Sequence, residues 1–352
     1  MKIGVYTDVH CSYTSSILPI SCEGSKYTTR LKMIVDTFRW MYDVFKDNNV
    51  SCIVNCGDLF DSYRLKAEEI SAMAEALSYN TGIPEFHVLG NHEILDKRRD
   101  FYATALLDNY SNIEVINTPT KTDMGISFLP YMSWEDARDA IPFIKNRILF
   151  SHVDIEGSRV TPQYLLDSGV ESCYLSECFN LVINGHIHGY QKLRDNVYNI
   201  GATASLSFSD SEESIPGIAI IDTDSLRITR IPNPYAIRFI SAPSDVGNIY
   251  DSFCDNLEKS GYRYVVRAKV AEKEKPEVEN LFKSCDSIVS YRIQTIYNNN
   301  ASPSDDESGM VEYESKSDIN SSFVDFLNTC EDLKFPLQDY IKEATSLTSG
   351  GQ

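Results

Sequence analysis

From position 1 to about 232, short apolar runs alternate with longer polar stretches that carry apolar residues at helical spacing. The runs are Lys2–Thr7, Ser51–Cys56, Glu85–Leu89, Ile113–Ile116, Ile126–Tyr131, Arg147–Phe150, Leu181–Asn184, Val197–Ile200, Gly217–Asp222 and Arg227–Pro232. Their length and β-branched content predict strands. Between the first two, Lys26–Asn49 places Leu31, Val35, Phe38, Tyr42 and Phe45 on one helical face, and Ala67–Tyr79 predicts a second helix. Strand and helix in alternation predict an α/β domain built in layers.

The pattern changes at Pro234. Residues 234–297 hold two strand-like runs, Tyr262–Val270 and Ile288–Ile296, around a helix near Pro276–Ser284, which predicts a small second domain. Residues 298–318 are rich in Asn, Ser, Asp and Glu and nearly free of apolar side chains, the composition of a flexible acidic linker. Beyond it, Ile319, Phe323, Phe326, Leu327 and Cys330 share one helical face, and Leu337, Tyr340, Ile341 and Ala344 another. Two short amphipathic helices behind such a linker cannot bury these faces alone. Phe323, Phe326, Leu327, Leu337, Tyr340 and Ile341 are therefore expected to dock on a partner.

The net charge of −19 argues against a protein that attracts nucleic acid through its overall field. Part of the acidity is local, since residues 301–352 hold 11 acids against 3 bases. A polyanionic substrate would need a basic groove, bound cations or a partner. No apolar run reaches the roughly 18 residues that cross a bilayer. MKIGVYTDVH lacks a basic-then-apolar leader, so a cytoplasmic protein is expected. Nine cysteines without a C-x-x-C pair fit free thiols in a reducing compartment.

Candidate chemistry gathers at strand ends. Asp8-Val9-His10 follows the first strand, Gly57-Asp58-Leu59-Phe60-Asp61 the second and Gly90-Asn91-His92-Glu93 the third. Ser151-His152 ends a fourth, and Gly185-His186-Ile187-His188 follows a fifth. Five of the six histidines sit there, in the crevice where α/β sheets place their functional groups. Side chains at i and i+2 of an extended segment point the same way, so Asp8 with His10, and His186 with His188, are expected to converge. Mixed imidazole and carboxylate suit Mn²⁺, Fe or Zn²⁺. Glycine before Asp58, Asn91 and His186 is expected to allow the tight turn that lifts each ligand. His87, inside its strand, reads as structural.

These motifs, D-x-H, G-D-x-x-D, G-N-H-E, S-H and G-H-x-H, resemble the calcineurin-like metallophosphoesterases over residues 1–233. G-D-L-F-D and the tail are most similar to the SbcD-type recombination nucleases, including the shorter forms of large tailed phages. The resemblance implies a sandwich of two mixed sheets flanked by helices, with 234–297 as a small capping and DNA-binding domain. It implies one metal on Asp8, His10, Asp58 and His188, a second on Asp58, Asn91, His152 and His186, and His92 as the catalytic residue. Two divalent ions, Mn²⁺ by family habit, a homodimer, DNA as substrate and an SMC-like coiled-coil ATPase partner are further implications. For a phage form the compartment would be the host cytoplasm. Gly201-Ala202-Thr203-Ala204-Ser205 is similar to the family's substrate-side loop. Cys11 after His10 and Ser62-Tyr63 after Asp61 depart from the Ser/Thr phosphatases of this superfamily. Asp61 stands where purple acid phosphatases have an iron-ligating tyrosine. A free-standing phosphoesterase acting on a nucleotide or phosphoprotein shares every ligand and is the competing reading; a scaffold without activity would not keep the whole set.

Overall fold

The computed structural model describes residues 1–296 apart from 14–17, 19–21, 23, 96–100, 162–163, 209 and 211–213. The linker 298–318 and the helices expected in 319–352, with Phe323, Phe326, Leu327, Leu337, Tyr340 and Ile341, lie outside the described residues. Met1–Asn298 forms one compact unit.

In chain order the strands are β1 (Lys2–Tyr6), β2 (Cys52–Asn55), β3 (Glu85–Val88), β4 (Ile113–Ile116), β5 (Thr120–Lys121), β6 (Ile126–Leu129) and β7 (Ile148–Ser151). A hairpin of β8 (Arg159–Thr161) and β9 (Tyr164–Leu165) precedes β10 (Leu181–Asn184), β11 (Gln191–Arg194), β12 (Val197–Asn199), β13 (Gly217–Asp222) and β14 (Arg227–Pro232). The last three are β15 (Ile237–Ser241), β16 (Arg263–Ala271) and β17 (Ile288–Ile296). The main helices are α1 (Thr29–Asp47), α2 (Ala67–Leu77), α3 (Trp134–Ile144) and α4 (Ser172–Cys178).

Two six-stranded mixed sheets run β14-β13-β1-β2-β3-β4 and β11-β12-β10-β7-β6-β5. β1 to β4 are parallel, and β13 closes on β1 antiparallel. Alternation along each strand divides the side chains between two cores. Ile3, Val5, Val54 and Val88 of the first sheet meet Phe128, Ile148, Phe150 and Ile183 of the second in the space between them. The outer face of the first sheet packs on Leu31, Phe38 and Phe45 of α1 and Met73 of α2, and the second on Ile141 of α3 and Leu175 of α4. Gly4 leaves room for the Phe45 ring, which an added Cβ would meet at 2.8 Å. The result is the expected α/β sandwich of two mixed sheets between helices.

All ten strands expected before 233 are present, with ends within two residues of the sequence reading. α1 starts three residues later than expected because the Thr28 side chain caps it, accepting from the Leu31 amide. The unforeseen strands β5 and β11 lie at sheet edges, and the exposed and polar β11 (QKLR) carries no apolar signal. A third sheet, β15-β16-β17, is parallel throughout. Its helices Cys254–Ser260 and Lys275–Ser284 cover one face with Leu257, Val278 and Phe282. Ile237, Phe239 and Val265 on the other face join the α1 core, which fixes this sheet to the body.

Candidate metal centre

The loops after β1 and β2 continue the strand pairing beyond both ends. Asp8 N donates to Gly57 O, His10 N to Asp58 O and Cys11 N to Leu59 O, at 2.8–3.0 Å. The buried Arg30 guanidinium gathers three carbonyls, of Val9, His10 and Ser205. Glu93 ties the next loop in: its buried carboxylate accepts from Leu59, Phe60 and Gly90 amides at 2.9–3.2 Å. Burial, with Asp58 close by, pushes that carboxyl up to about 7.

Asp8, His10 and His188 bring one ligand atom each within 4.8 Å of one another, and so do Asp58, His152 and His186. Asp58 Oδ2 stands 3.3 Å from His152 Nε2 and 3.7 Å from His10 Nε2, so one oxygen faces both groups. Asn91 Oδ1 lies 3.0 Å from both His152 Nε2 and His186 Nδ1. Asp8, His10, Asp58, Asn91, His152, His186 and His188 thus surround one pocket. His92 sits at its rim, half exposed, with its ring edge-on to His10 at 4.7 Å.

The convergence of Asp8 with His10 has a different origin from the expected strand alternation. Both lie past the end of β1 in the left-handed region, at φ 50° and 47°, as do Asp58 at 52° and His186 at 69°. Asp and His tolerate that region better than most residues, though each such residue costs about 1 kcal/mol. The glycines also differ from expectation. Only Gly57 has the positive φ of a tight turn, at 106°. Gly90 and Gly185 are needed for space: a Cβ on Gly90 would strike the Asp58 carboxylate and amide, and one on Gly185 the Cys56 carbonyl and Thr7 Oγ1.

Four imidazoles share one arrangement. His10 Nδ1 meets Asp61 Oδ1 at 3.1 Å, His152 Nδ1 meets Cys56 O at 2.6 Å, His186 Nε2 meets Asp154 Oδ1 and His188 Nδ1 meets Asp210 Oδ1, both at 2.9 Å. An outer acceptor puts the proton on the outer nitrogen and leaves the inner lone pair for a metal. Asp154 and Asp210 were missed in the sequence, where nothing but proximity to His152 and to the Gly201 segment marks them. Glu93 binds main-chain amides, and the His92 ring instead donates to the Asp61 carbonyl. The Gly201–Ser205 segment, expected on the substrate side, is buried: Thr203 exchanges hydrogen bonds with Thr7, and Ser205 O receives Arg30. His87 is buried among Glu85, Tyr6 and Asn55.

The donor set fits divalent cations. Asp8 Oδ1 is buried and accepts no hydrogen bond among the described residues, a costly state for a carboxylate oxygen that a cation would relieve. Burial would push the Asp8 and Asp58 carboxyls up, yet the surrounding histidines outweigh it and hold both below the usual carboxylate range. Burial would likewise push the imidazoles down, but Asp61 with Asp8 and Asp58 raises His10 to about 10, and Asp58 raises His152 to about 9. The pocket draws positive charge to its centre.

Fold and site define a phosphoesterase of the dimetal kind. Residues 1–190 match the calcineurin-like phosphoesterases, and the chain belongs to that family, which uses a dimetal centre. Over 210 residues it is 25% identical to exonuclease subunit 1 of Enterobacteria phage T4, covering 56% of this chain and 61% of that one. Over 179 residues it is 25% identical to the DNA double-strand break repair protein Mre11 of Sulfolobus acidocaldarius, covering 47% and 46%. The chain therefore spans less than two thirds of the length of either relative. Among solved structures it is similar to TT1561 of Thermus thermophilus, at 12% identity and a TM-score of 0.40, over 66% of this chain and 98% of that one. Among the described residues no helix is long and apolar enough to cross a membrane.

Proposed function

We propose that this chain is a metal-dependent DNA phosphodiesterase, an exonuclease on duplex ends and an endonuclease on single strands. It works as a homodimer with an SMC-like ATPase in recombination and repair, and residues 319–352 dock that partner. The observation that carries the reading is Asp58 Oδ2, shared between the His10 and His152 clusters. Two relatives named as an exonuclease subunit and a DNA break repair protein support DNA as the substrate.

Asp8, His10, Asp58 and His188 would hold one ion, and Asp58, Asn91, His152 and His186 the other, with nitrogen and oxygen donors that suit Mn²⁺. When bound, such a pair supplies Lewis acidity toward phosphoryl oxygens and a water of lowered pKa. The chain's own residues do the rest. Asp61, Asp154 and Asp210 hold three imidazoles with lone pairs inward. Gly57, Gly90 and Gly185 let the loops close without collision. His92, at the open rim, hydrogen-bonds or protonates the departing ribose oxygen, and its Asp61 carbonyl partner orients the ring.

Purified protein with Mn²⁺ on end-labelled duplex DNA, with and without the ATPase subunit, tests the reading. Release of nucleotides from the ends is expected. The net charge of −19 favours the competing reading of a small phosphate substrate. Intact DNA alongside hydrolysis of a nucleotide or phosphoprotein would establish that one instead.

A further inference from the structure

His87 is the one histidine away from the metal pocket, yet it stands in line with the loops that build it. Tyr6, Asn55 and His87 are register partners across the parallel strands β1, β2 and β3, so their side chains form a row on one face of the sheet. Tyr6 lies two residues before Asp8, Asn55 three before Asp58 and His87 four before Asn91. That face packs on the apolar core under α1, with Tyr6 edge-on to Phe38 at 5.4 Å. All three are buried, as is Glu85. So many polar groups inside a core are costly unless each is paired, and apolar residues of similar volume often hold a core as well or better. Packing alone does not require this row.

The hydrogen bonds run in one direction. An ionised carboxylate can only accept, and Glu85 Oε1 lies 3.0 Å from His87 Nε2. Tyr6 Oη, 3.4 Å from the same nitrogen, already donates to Oε1. Nε2 therefore carries the proton, and Nδ1 keeps a lone pair. Asn55 Nδ2 donates to that lone pair at 3.4 Å. This turns Asn55 Oδ1 toward the Gly57 amide, which donates to it at 3.1 Å. A proton on Nδ1 would flip the Asn55 amide and set two N–H donors face to face at Gly57. Gly57 is where the hold matters, because its φ of 106° is open chiefly to glycine. Its carbonyl receives Asp8 N at 3.0 Å. The next residue is Asp58, whose Oδ2 faces both His10 and His152.

We propose that His87 is a positioning residue of the metal centre: through Asn55 it fixes the Gly57 turn that presents Asp58 to both ions. Its tautomer, set by Glu85, selects which end of the Asn55 amide meets Gly57. It acts through another side chain and a main-chain turn. The role rests on the dimetal centre and not on DNA as the substrate.

The test uses the full-length chain, with Mn²⁺ affinity from titration calorimetry and stability from denaturant unfolding without metal. His87→Asn keeps a polar atom near the place of Nδ1 and can still accept from Asn55. His87→Gln keeps one near the place of Nε2 and can still meet Glu85. Both should lose stability to a similar extent. His87→Gln should bind Mn²⁺ about 10-fold more weakly, and Asn55→Leu should lose at least as much, while His87→Asn stays near wild type. In the Asn55→Leu background, His87→Gln should weaken binding no further, because the path is already cut. Equal Mn²⁺ affinity in the Asn and Gln variants, or additive losses in the double variant, overturns the inference. So does wild-type affinity in Asn55→Leu, whichever of the His87 variants fold. Wild-type chain that takes up no Mn²⁺ would overturn the dimetal reading itself, and this role with it.

Discussion

Nδ1 of His92 donates to the main-chain carbonyl of Asp61 across 3.1 Å. A carbonyl can only accept, so Nδ1 carries a proton committed to Asp61, and Nε2 is the nitrogen left to act on the substrate. The His92 main-chain amide, not the ring, donates to Asp58 Oδ1, at 3.0 Å. His92→Ala should therefore keep both metals while cleavage falls by about 10²–10⁴. Metal analysis of the purified variant beside its turnover on DNA checks this; a variant that loses an ion shows His92 to be a ligand.

The side chain of Asp61 serves another ring. Its Oδ1 meets His10 Nδ1 at 3.1 Å but stands 3.9 Å from His92 Nδ1. Asp61→Asn leaves the carbonyl that holds His92 and removes the charge behind His10. Metal affinity should weaken by about 10–100-fold, with turnover restored when Mn²⁺ is saturating. Calorimetric metal titration together with kcat at high Mn²⁺ separates the two effects. Lost kcat at saturating metal would show that the carboxylate acts on His92 after all.

Asp58→Ala should abolish binding of both ions, since Oδ2 faces both His10 and His152. Metal stoichiometry on the purified variant decides, and full occupancy of either site means that Asp58 does not bridge.

Gly90→Ala should damage the same site through sterics alone. The added Cβ falls on the Asp58 carboxylate and amide, which cannot yield without moving the loop that Glu93 clamps. A stability loss of about 1–3 kcal/mol is expected, together with weaker metal binding. Denaturant unfolding measures the first; wild-type stability in this variant would mean that the two loops can part freely.

How the site could be read from the sequence depends on the residue. Asp8, His10, Asp58, Asn91, His152, His186 and His188 were visible because each follows a short apolar run, and a strand end is a local property of the chain. The backbone state that makes them meet was not visible: left-handed φ at four of them comes from hydrogen bonds between loops far apart in sequence. Asp154 and Asp210 were illegible for the same reason, since an outer carboxylate becomes one only when folding brings it to an imidazole. The sandwich was legible because its central strands are buried on both faces and read as unbroken apolar runs. Edge strands such as β11, half solvated and polar, carried no such mark.

The last prediction concerns a buried charge away from the metal centre. Glu85 of β3 is buried and accepts hydroxyls from Tyr6 at 2.7 Å and Tyr42 at 2.9 Å and the Asn80 amide at 2.8 Å, and it meets His87 Nε2 at 3.0 Å. Burial alone would push its carboxyl up, but His87, Tyr6 and Asn80 outweigh it and hold it below the ordinary glutamate value of 4.5. A carboxyl depressed on folding adds stability that is fully present above the unfolded value and is lost as pH falls through the folded one. Unfolding free energy from denaturant melts should therefore drop with acid below about pH 4.5. Glu85→Gln should flatten that part of the profile and cost about 2 kcal/mol at neutral pH, because a neutral amide weakens the charge-assisted hydrogen bonds from Tyr6, Tyr42 and Asn80. If the variant loses stability in acid as steeply as the wild type, the acid sensitivity belongs to other carboxylates, and Glu85 is not ionised in the fold.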